Sequence, residues 1–358
     1  MLTKLDHAVA QQVLNDAVAD GGVPGIVAEV RDGDRRWFGA AGVADVASGR
    51  ERLPEDRFRV GSITKAFTAT MVLKLVAEHR LRLDDTVEHW LPGLVRGNGN
   101  DGGKITIRHL LNQTSGLVSP DFDDEERLGQ LVGRPYLEHR FDRWRPEQLI
   151  QIALRHQPHF EPGVAFRYSN ANYLLAGLII ERVTGSTYAA ELDRLILGPL
   201  QLAGTYLPDE TTIRGPHARM YSRLFLPDAD AEVHDVTEVD PSWAWAAGGI
   251  VSTTGDLATF FAALLGGRLL LPELQREMWS TVPTEGAGWI PNTRYGMGVW
   301  EQDLPSGSTV RGGGGAMNGS WTYAMGTSDG EHLVVSNMNG DWNNPVGTFV
   351  ALLQTELG

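Results

Sequence analysis

The chain has 358 residues, of which 42% are hydrophobic and 21% charged, a composition typical of a soluble globular protein rather than a disordered one. Its net charge of -14 argues against nucleic acid and anionic membranes as partners, and the absence of cysteine excludes disulfides, thiolate metal sites and a cysteine nucleophile. The length predicts about two domains or one large composite. No apolar stretch reaches signal-peptide or membrane-span length, so we expect a cytoplasmic protein unless a leader was trimmed.

The amino-terminal residues predict a helix followed by a hairpin. Apolar residues at every fourth position indicate an amphipathic helix: Leu5, Val9, Val13 and Ala17. Strand-like segments from Gly25 to Val30 and from Arg36 to Gly42 follow. They are joined through Asp32-Gly33, a dipeptide that supplies the positive φ of a tight turn.

The next element carries the first chemical signal. The segment GSITKAF places Ser62 three residues before Lys65, so in a helix the two side chains share one face. Phe67, Met71 and Leu75 continue an apolar stripe, which predicts a buried helix in which desolvation lowers the pKa of the lysine toward that of a usable base. A helix N-terminus also offers a backbone N–H to an oxyanion. The alternative is a serine cap beside a lysine that reaches solvent.

The middle of the chain changes to helical segments and loops rich in glycine, proline and aspartate. The acidic stretch from Ser119 to Arg127 is interpreted as a solvated loop at the edge of a cleft. Further on, Tyr168-Ser169-Asn170 precede an apolar, helix-like run. A tyrosine hydroxyl can relay a proton, and an asparagine amide can hold a substrate carbonyl; the alternative is a helix cap beside a surface tyrosine.

The carboxyl-terminal residues predict a second hairpin and a closing helix. Segments from Trp321 to Gly326 and from His332 to Asn337 are joined through Asp329-Gly330. An antiparallel sheet built from both termini, flanked by helices and interrupted by a mostly helical insert, gives an α/β plus α fold. We expect residues 1–75 and 245–358 to form the sheet domain and residues 76–244 the helical subdomain, with the active site at their junction.

The two motifs together resemble a known family. Ser62-x-x-Lys65 followed by Tyr168-Ser169-Asn170 is similar to the first two motifs of the serine β-lactamase and penicillin-binding protein family. The tyrosine resembles the class C β-lactamase and soluble DD-carboxypeptidase branch, and the similarity extends over nearly the whole chain. The resemblance therefore implies a β-lactamase/transpeptidase-like fold.

The resemblance also implies roles for individual residues. Ser62 would be the nucleophile, Lys65 its activating base, Tyr168 the proton relay and Asn170 a ligand of the substrate amide. The oxyanion hole would be formed by the backbone N–H groups of Ser62 and Ala316. Further along the chain, Trp243 matches a position that lines the cleft, with a core tryptophan as the alternative reading.

The third motif departs from the family pattern. Where relatives have a lysine or histidine, a small residue and a glycine, this chain has Gly313, Gly314 and Gly315, and Trp300 stands where an arginine would grip the substrate carboxylate. Losing such charge-assisted hydrogen bonds costs about 1.5–3 kcal/mol each. The site is therefore interpreted as suited to a neutral ester or amide, although Arg311 could replace the missing cation.

Three functions compete on these grounds. The leading one is a serine acyltransferase or hydrolase that needs no cofactor and no metal. It would move the acyl group of a small-molecule or peptide-like donor to water or an amine, as transacylases and esterases of natural-product pathways do. The second is a DD-carboxypeptidase or weak β-lactamase that uses Arg311, and the third is a non-catalytic sensor of β-lactams or peptides. The oligomeric state is not predicted.

Overall fold

A computed structural model describes residues 7–228 and 230–358, which are arranged around one nine-stranded antiparallel sheet. The strands are β1 (Gly25–Asp32), β2 (Arg35–Asp45), β3 (Arg50–Glu51), β4 (Phe58–Arg59), β5 (Arg96–Gly97), β6 (Asn100–Asp101), β7 (Tyr221–Ser222), β8 (His234–Asp235), β9 (Val251–Ser252), β10 (Val282–Pro283), β11 (Thr293–Tyr295), β12 (Trp300–Asp303), β13 (Thr309–Met317), β14 (Ser320–Gly326) and β15 (His332–Met338). Their order in the large sheet is β10-β11-β12-β13-β14-β15-β1-β2-β3, so the two ends of the chain meet where β15 pairs with β1. The short strands pair outside it as β4-β9, β5-β6 and β7-β8.

Helices cover the sheet and fill the middle of the chain. They are α1 (Ala8–Ala19), α2 (Thr64–Ala77), α3 (Val87–Trp90), α4 (Ile107–Leu111), α5 (Glu125–Leu131), α6 (Arg134–His139), α7 (Pro146–Ala153), α8 (Asn170–Thr184), α9 (Tyr188–Leu192), α10 (Gly198–Leu200), α11 (Trp245–Gly248), α12 (Thr254–Leu265), α13 (Pro272–Met278) and α14 (Pro345–Leu357). Short 3₁₀ turns span Gly61–Ile63 and Pro241–Trp243, and a π-helical turn spans Asp193–Leu197. Within the described residues, no helix is long and apolar enough to span a membrane.

Both predicted hairpins are present. In the first, Asp32 still pairs with Arg35, so the turn residues are Gly33 and Asp34, one position later than predicted. Gly33 has φ +59°, the left-handed conformation that such a turn requires. In the second, β14 and β15 pair from Gly326 and Leu333 outward. The predicted mixed fold with an antiparallel sheet flanked by helices is therefore confirmed.

The predicted stripe of α1 needs a correction. Val9 is 63% exposed, whereas Ala10, Leu14 and Ala17 are buried against the sheet. Leu5 lies outside the described residues. Ala17 of the predicted stripe is therefore buried and Val13 is partly buried against the same cluster, whereas Ala10 and Leu14 are buried in place of Val9, so the buried face is rotated from the predicted one.

Helix α2 lies in the interior, and the strands and helices around it bury it on all sides. Ten consecutive residues from Thr64 to Leu73 are buried, and Phe67 stacks on Phe260 of α12 with ring centroids 3.8 Å apart. Helix α12 in turn packs on the central strands. Because α2 crosses residue 75 and short strand pairs occur in the middle region, the division at residues 75 and 245 into two subdomains stays a prediction.

Candidate active site

Ser62 lies in the 3₁₀ turn that precedes α2, where the turn packs against the backbone of β13. Gly61 has φ +55°, and a Cβ there would lie 2.7 Å from the nitrogen of Ala316. A Cβ on Gly315 would lie 2.4 Å from the nitrogen of Ser62. Only glycine fits at either position, and the close approach brings the backbone N–H groups of Ser62 and Ala316 together. This is the arrangement expected of an oxyanion hole.

Lys65 is buried, with 1% of its surface exposed, and its ammonium nitrogen has three oxygen neighbours. Nζ lies 2.8 Å from Asn170 Oδ1, 2.6 Å from the carbonyl oxygen of Ala247 and 3.1 Å from Ser62 Oγ. The first two atoms can only accept hydrogen bonds. A neutral amine has two N–H bonds and one lone pair, so it donates to both acceptors and leaves its lone pair for the Ser62 hydroxyl proton.

The electrostatics favour that neutral form. Burial lowers the pKa of Lys65 to about 7, and the charge of Asp121 opposes this shift only in part. The Nζ atom also lies 4.8 Å from the centre of the Tyr168 ring and 5.5 Å from that of Tyr173. With a pKa of about 7, Lys65 is neutral in part of the molecules at neutral pH and can then accept a proton.

Tyr168 holds the other side of the nucleophile. Its hydroxyl donates to Ser62 Oγ over 2.6 Å, and burial raises its pKa well above the usual value, so it keeps its proton at neutral pH. Trp289 stacks on the Tyr168 ring with centroids 4.5 Å apart. Ser62 thus accepts from a neutral phenol and donates to a neutral amine, which prepares it for nucleophilic attack.

Asn170 links Lys65 to a buried acid that the sequence analysis missed. While its Oδ1 accepts from Lys65, its Nδ2 donates to Asp121 Oδ2 over 2.9 Å. Asp121 is 1% exposed, burial raises its pKa, and Arg127 Nε lies 3.6 Å from its second oxygen. One Nδ2 hydrogen of Asn170 takes part in neither contact, so the predicted role of Asn170 as a ligand of the substrate amide falls to that hydrogen. The acidic stretch that was expected to edge a cleft contains Asp121, so a signal was present.

A cavity of about 810 Å³ opens on Ser62. The predicted site residues that line it are Ser62, Tyr168, Asn170, Trp243, Trp300, Gly314, Gly315 and Ala316. Residues of the lining that sequence reasoning missed include Asp121, Phe122, Leu128, Phe225, Trp289, Trp321 and Tyr323. Most of these residues that were not predicted are large and apolar, so the cavity wall is more aromatic than the motifs indicated.

The glycines of the third motif divide between the two faces of β13. A Cβ on Gly314 would lie 2.9 Å from the Tyr323 ring and 3.0 Å from the Trp300 ring, so the missing side chain gives these aromatic rings room in the cavity wall. Gly313 is turned toward Phe261 instead and does not line the cavity.

The cation that was considered as a replacement lies elsewhere. Arg311 Nε donates to Glu301 over 2.9 Å, its guanidinium lies over the Trp279 ring, and it is not part of the cavity wall. Among the described residues that line the cavity, the only arginine or lysine is Arg167, which is bound to Asp123 over 2.6 Å. This arrangement offers no support for a carboxylate clamp at the third motif.

Comparison with known proteins identifies relatives of similar fold and size. A sequence model of the Beta-lactamase family matches residues 10–354. The structure of a D-stereospecific amidohydrolase from Streptomyces sp. superposes with a TM-score of 0.90 at 46% identity, over 98% of each chain. That of D-amino acid amidase from Ochrobactrum anthropi SV3, complexed with L-phenylalanine amide, superposes with a TM-score of 0.83 at 27% identity, over 98% of this chain and 97% of that one.

A curated relative matches over a shorter range. Protein flp of Staphylococcus aureus (strain N315) is 30% identical over 207 residues, which is 57% of this chain and 39% of that protein. The matched part of this chain thus spans about two fifths of that relative's length.

Proposed function

Since the chain belongs to the beta-lactamase family, we propose that it is a serine hydrolase that cleaves amides without a free carboxylate through an acyl-Ser62 intermediate. The observation that carries this proposal is the arrangement around Ser62, with a buried lysine of lowered pKa on one side and a protonated tyrosine on the other. The likeness to a D-stereospecific amidohydrolase and a D-amino acid amidase supports amides of D-amino acids as the substrate class.

Acylation uses the groups in a fixed order. The Ser62 hydroxyl proton moves to Lys65 Nζ while Oγ attacks the carbonyl carbon, and the oxyanion is held by the N–H groups of Ser62 and Ala316. Tyr168 gives its proton to the leaving nitrogen as the C–N bond breaks. The proton held by Lys65 then restores the phenol. The step ends with an ester on Ser62, a free amine, and neutral Lys65 and Tyr168.

Deacylation reverses the proton movements with a new nucleophile. A water molecule gives one proton to Lys65 while its oxygen attacks the ester carbonyl. Lys65 then passes that proton to Ser62 Oγ as the bond from Oγ to the acyl carbon breaks, which leaves a free acid, the Ser62 hydroxyl and neutral Lys65. An amine in place of water yields a new amide. Hydrolysis and transfer therefore use one intermediate and differ in the nucleophile that reaches it.

The wall at the third motif argues for this substrate class over the two alternatives. A carboxylate beside Gly314 meets aromatic rings and no cation, because Arg311 is paired with Glu301. This disfavours a DD-carboxypeptidase or β-lactamase. A sensor without catalysis has no need for a lysine held by two acceptors with its lone pair toward the serine.

The test is to incubate the protein separately with D- and L-phenylalanine amide and with penicillin. Ammonia release and intact mass are followed, and the Ser62→Ala variant serves as control. We expect ammonia from the D-amide, little from the L-amide, and none from the variant. With an added amine, part of the product becomes a new amide. A stable penicillin adduct with no amide turnover would instead favour the carboxylate-recognising alternative.

A further inference from the structure

Exposed apolar side chains gather at the mouth of the cavity. Leu128 of α5 and Phe225 are 37% and 40% exposed, and both line the cavity together with Val132. We call these three residues the outer apolar subsite. Exposed apolar groups that continue a catalytic cavity indicate a surface that a ligand covers.

The backbone that presents Phe225 is strained and firmly held. Leu224 and Phe225 have φ +57° and +56°, which L-residues rarely adopt without a compensating constraint. The carbonyl of Leu224 accepts from the nitrogen of Gly133 over 2.9 Å, which ties this segment to the end of α5. The backbone nitrogen of Leu224 donates a hydrogen bond to Ser222 Oγ over 2.7 Å.

A buried acid fixes the same segment to the sheet. Asp341 accepts hydrogen bonds from the Ser222 hydroxyl, from the nitrogen of Arg223 over 3.1 Å and from the nitrogen of Gly319 over 3.0 Å. Gly319 lies in the turn between β13 and β14, next to the strand that carries Ala316. Through Asp341, the backbone next to Phe225 is therefore hydrogen-bonded to the turn that follows β13, the strand of the proposed oxyanion hole. Phe225 is exposed on a segment that these hydrogen bonds hold in place.

The side of the cavity on which the subsite lies decides which part of the substrate it contacts. The leaving nitrogen has to approach the Tyr168 hydroxyl, and Trp289 covers that side by stacking on the Tyr168 ring. Among the described residues, the rings in contact with Tyr168 or Trp289 are those of Phe122, Phe166, Tyr295 and Trp300, and Phe225 is not one of them. Leu128 follows Arg127, which contacts Asp121 and lies 5.9 Å from the Trp243 ring. We therefore assign the outer apolar subsite to the acyl portion of the substrate.

Charge narrows the class of acyl group further. The solvent side of the two segments carries the exposed carboxylates of Glu125, Glu126, Asp228 and Asp230 together with exposed Arg134 and Arg155, of which Arg155 lies 3.4 Å from Glu126. Carboxylates predominate on this side, which disfavours an anionic chain, whereas an uncharged apolar chain covers the exposed apolar side chains. The cavity volume of about 810 Å³ also lies in the range that holds drug-sized molecules, which are larger than a single amino-acid amide.

We propose that the outer apolar subsite binds an uncharged hydrophobic arm of the acyl group, so that acyl donors extended beyond one residue react faster than short ones. This inference rests on the proposed function, because it assigns the acyl specificity of the same site. The apolar arm would be an aliphatic chain or a second apolar residue attached to the acyl group.

The test compares p-nitrophenyl esters from acetate to octanoate, with kcat/KM measured for each. Each fully buried methylene contributes about 0.8 kcal/mol, so partial burial of the longer chain predicts an octanoate-to-acetate ratio of at least about tenfold. Phe225→Ala and Leu128→Ala should each lower that ratio about threefold or more, on the same basis of lost apolar contact. Phe141→Ala and Leu271→Ala, which also truncate exposed apolar residues but lie outside the cavity wall, should keep the wild-type ratio.

The outcomes separate the two proposals. If the wild-type protein turns over none of these esters in a way that depends on Ser62, the proposed function is overturned. Ser62-dependent turnover whose chain-length ratio is flat, or is unchanged in Phe225→Ala, would overturn the subsite alone. A second series with a constant acetyl group and lengthening leaving groups provides the last arm. If the length dependence appears there and is lost in Phe225→Ala, the subsite serves the leaving group and the acyl assignment is wrong.

Discussion

The two walls that meet at Ser62 differ in how closely they keep the family pattern. The helical wall is formed by α2 and α8, which carry the buried residues Lys65 and Asn170. There, Lys65 Nζ contacts Ser62 Oγ, Asn170 Oδ1 and the carbonyl oxygen of Ala247. On the strand wall, β13 supplies the Ala316 N–H of the proposed oxyanion hole but has Gly313 where the family pattern has a lysine or histidine. Under the proposed function, the reaction and the recognition of substrate are carried by separate elements, so one can change while the other is kept.

Replacing Lys65 on the helical wall should lower activity more than any other change considered below. Lys65→Met keeps the length of the side chain but removes the proton acceptor, and losing a general base costs about 10²–10⁴-fold in rate. We expect kcat for amide hydrolysis to fall by that factor. Thermal stability should fall as well, by about 1–3 kcal/mol for each buried oxygen that loses its donor, because Asn170 Oδ1 and the Ala247 carbonyl are left unpaired. Lys74→Met, on the same helix, is the matched control and should retain activity. Equal losses in both variants would contradict the assignment of Lys65.

Breaking the contact between the walls should come next. In Gly315→Ala the new Cβ would lie 2.4 Å from the nitrogen of Ser62, so the 3₁₀ turn must move away from β13. Losing one oxyanion donor typically costs about 10²–10³-fold in kcat. Steady-state kinetics should show a fall of that order, whereas Gly129→Ala, whose added methyl meets no neighbouring atom, should behave as wild type. A wild-type kcat in Gly315→Ala would refute the proposed oxyanion hole.

Removing the charge of Asp121, which lies behind Lys65 and Asn170, should change the pH dependence of acylation rather than its maximal rate. Because Lys65 has to be neutral to accept the proton and its pKa is lowered to about 7, acylation should rise with pH around that value. The negative charge of Asp121 raises the pKa of Lys65, while Arg127 faces Asp121 with the opposite charge. Asp121→Asn should therefore move the rise to lower pH, while its amide oxygen still accepts from Asn170.

The measurement is the pH dependence of acylation by an activated ester under single-turnover conditions. Asp123→Asn serves as the control, because Asp123 also lines the cavity but is bound to Arg167 and His159. A shift to higher pH in Asp121→Asn, or an equal shift in both variants, would exclude the proposed coupling.

The sequence was most informative where the chemistry is local. Ser62 and Lys65 are one helical turn apart, so the spacing places them on one face, and the apolar stripe beyond them already indicates burial. The alternative of a serine cap beside a lysine that reaches solvent was set aside only with the second motif, Tyr168-Ser169-Asn170. The face of α1 was partly misjudged because an alanine such as Ala10 counts little toward a hydrophobic pattern, although Ala10 is buried in the cluster that packs on the sheet.

Residues that tertiary structure brings together could be predicted only where they belong to the family motifs, as Tyr168 and Asn170 do; the others were out of reach. Trp289 and Tyr168 lie on segments far apart in the chain, and nothing in either segment indicates that their rings stack. Gly313 and Gly314 look equivalent in the motif, yet the register of β13 turns one toward Phe261 and the other toward the cavity. A shift of one residue exchanges the faces of a strand, and sequence patterns of glycines do not fix that register.

The smallest expected effect concerns the ring that supports Tyr168. A stacked aromatic pair contributes about 0.5–1.5 kcal/mol beyond its buried area, which corresponds to about a two- to tenfold change in rate if the stack orients the phenol. Trp289→Phe keeps an aromatic ring and should lower kcat about twofold, whereas Trp289→Ala should approach tenfold on the same scale. Trp279→Ala, which removes a tryptophan outside the cavity wall, is the control. If Tyr168 protonates the leaving group as proposed, the loss should be larger for amides than for activated esters, whose leaving groups need no proton. An equal loss for both substrates would mean that Trp289 shapes the cavity without acting on Tyr168.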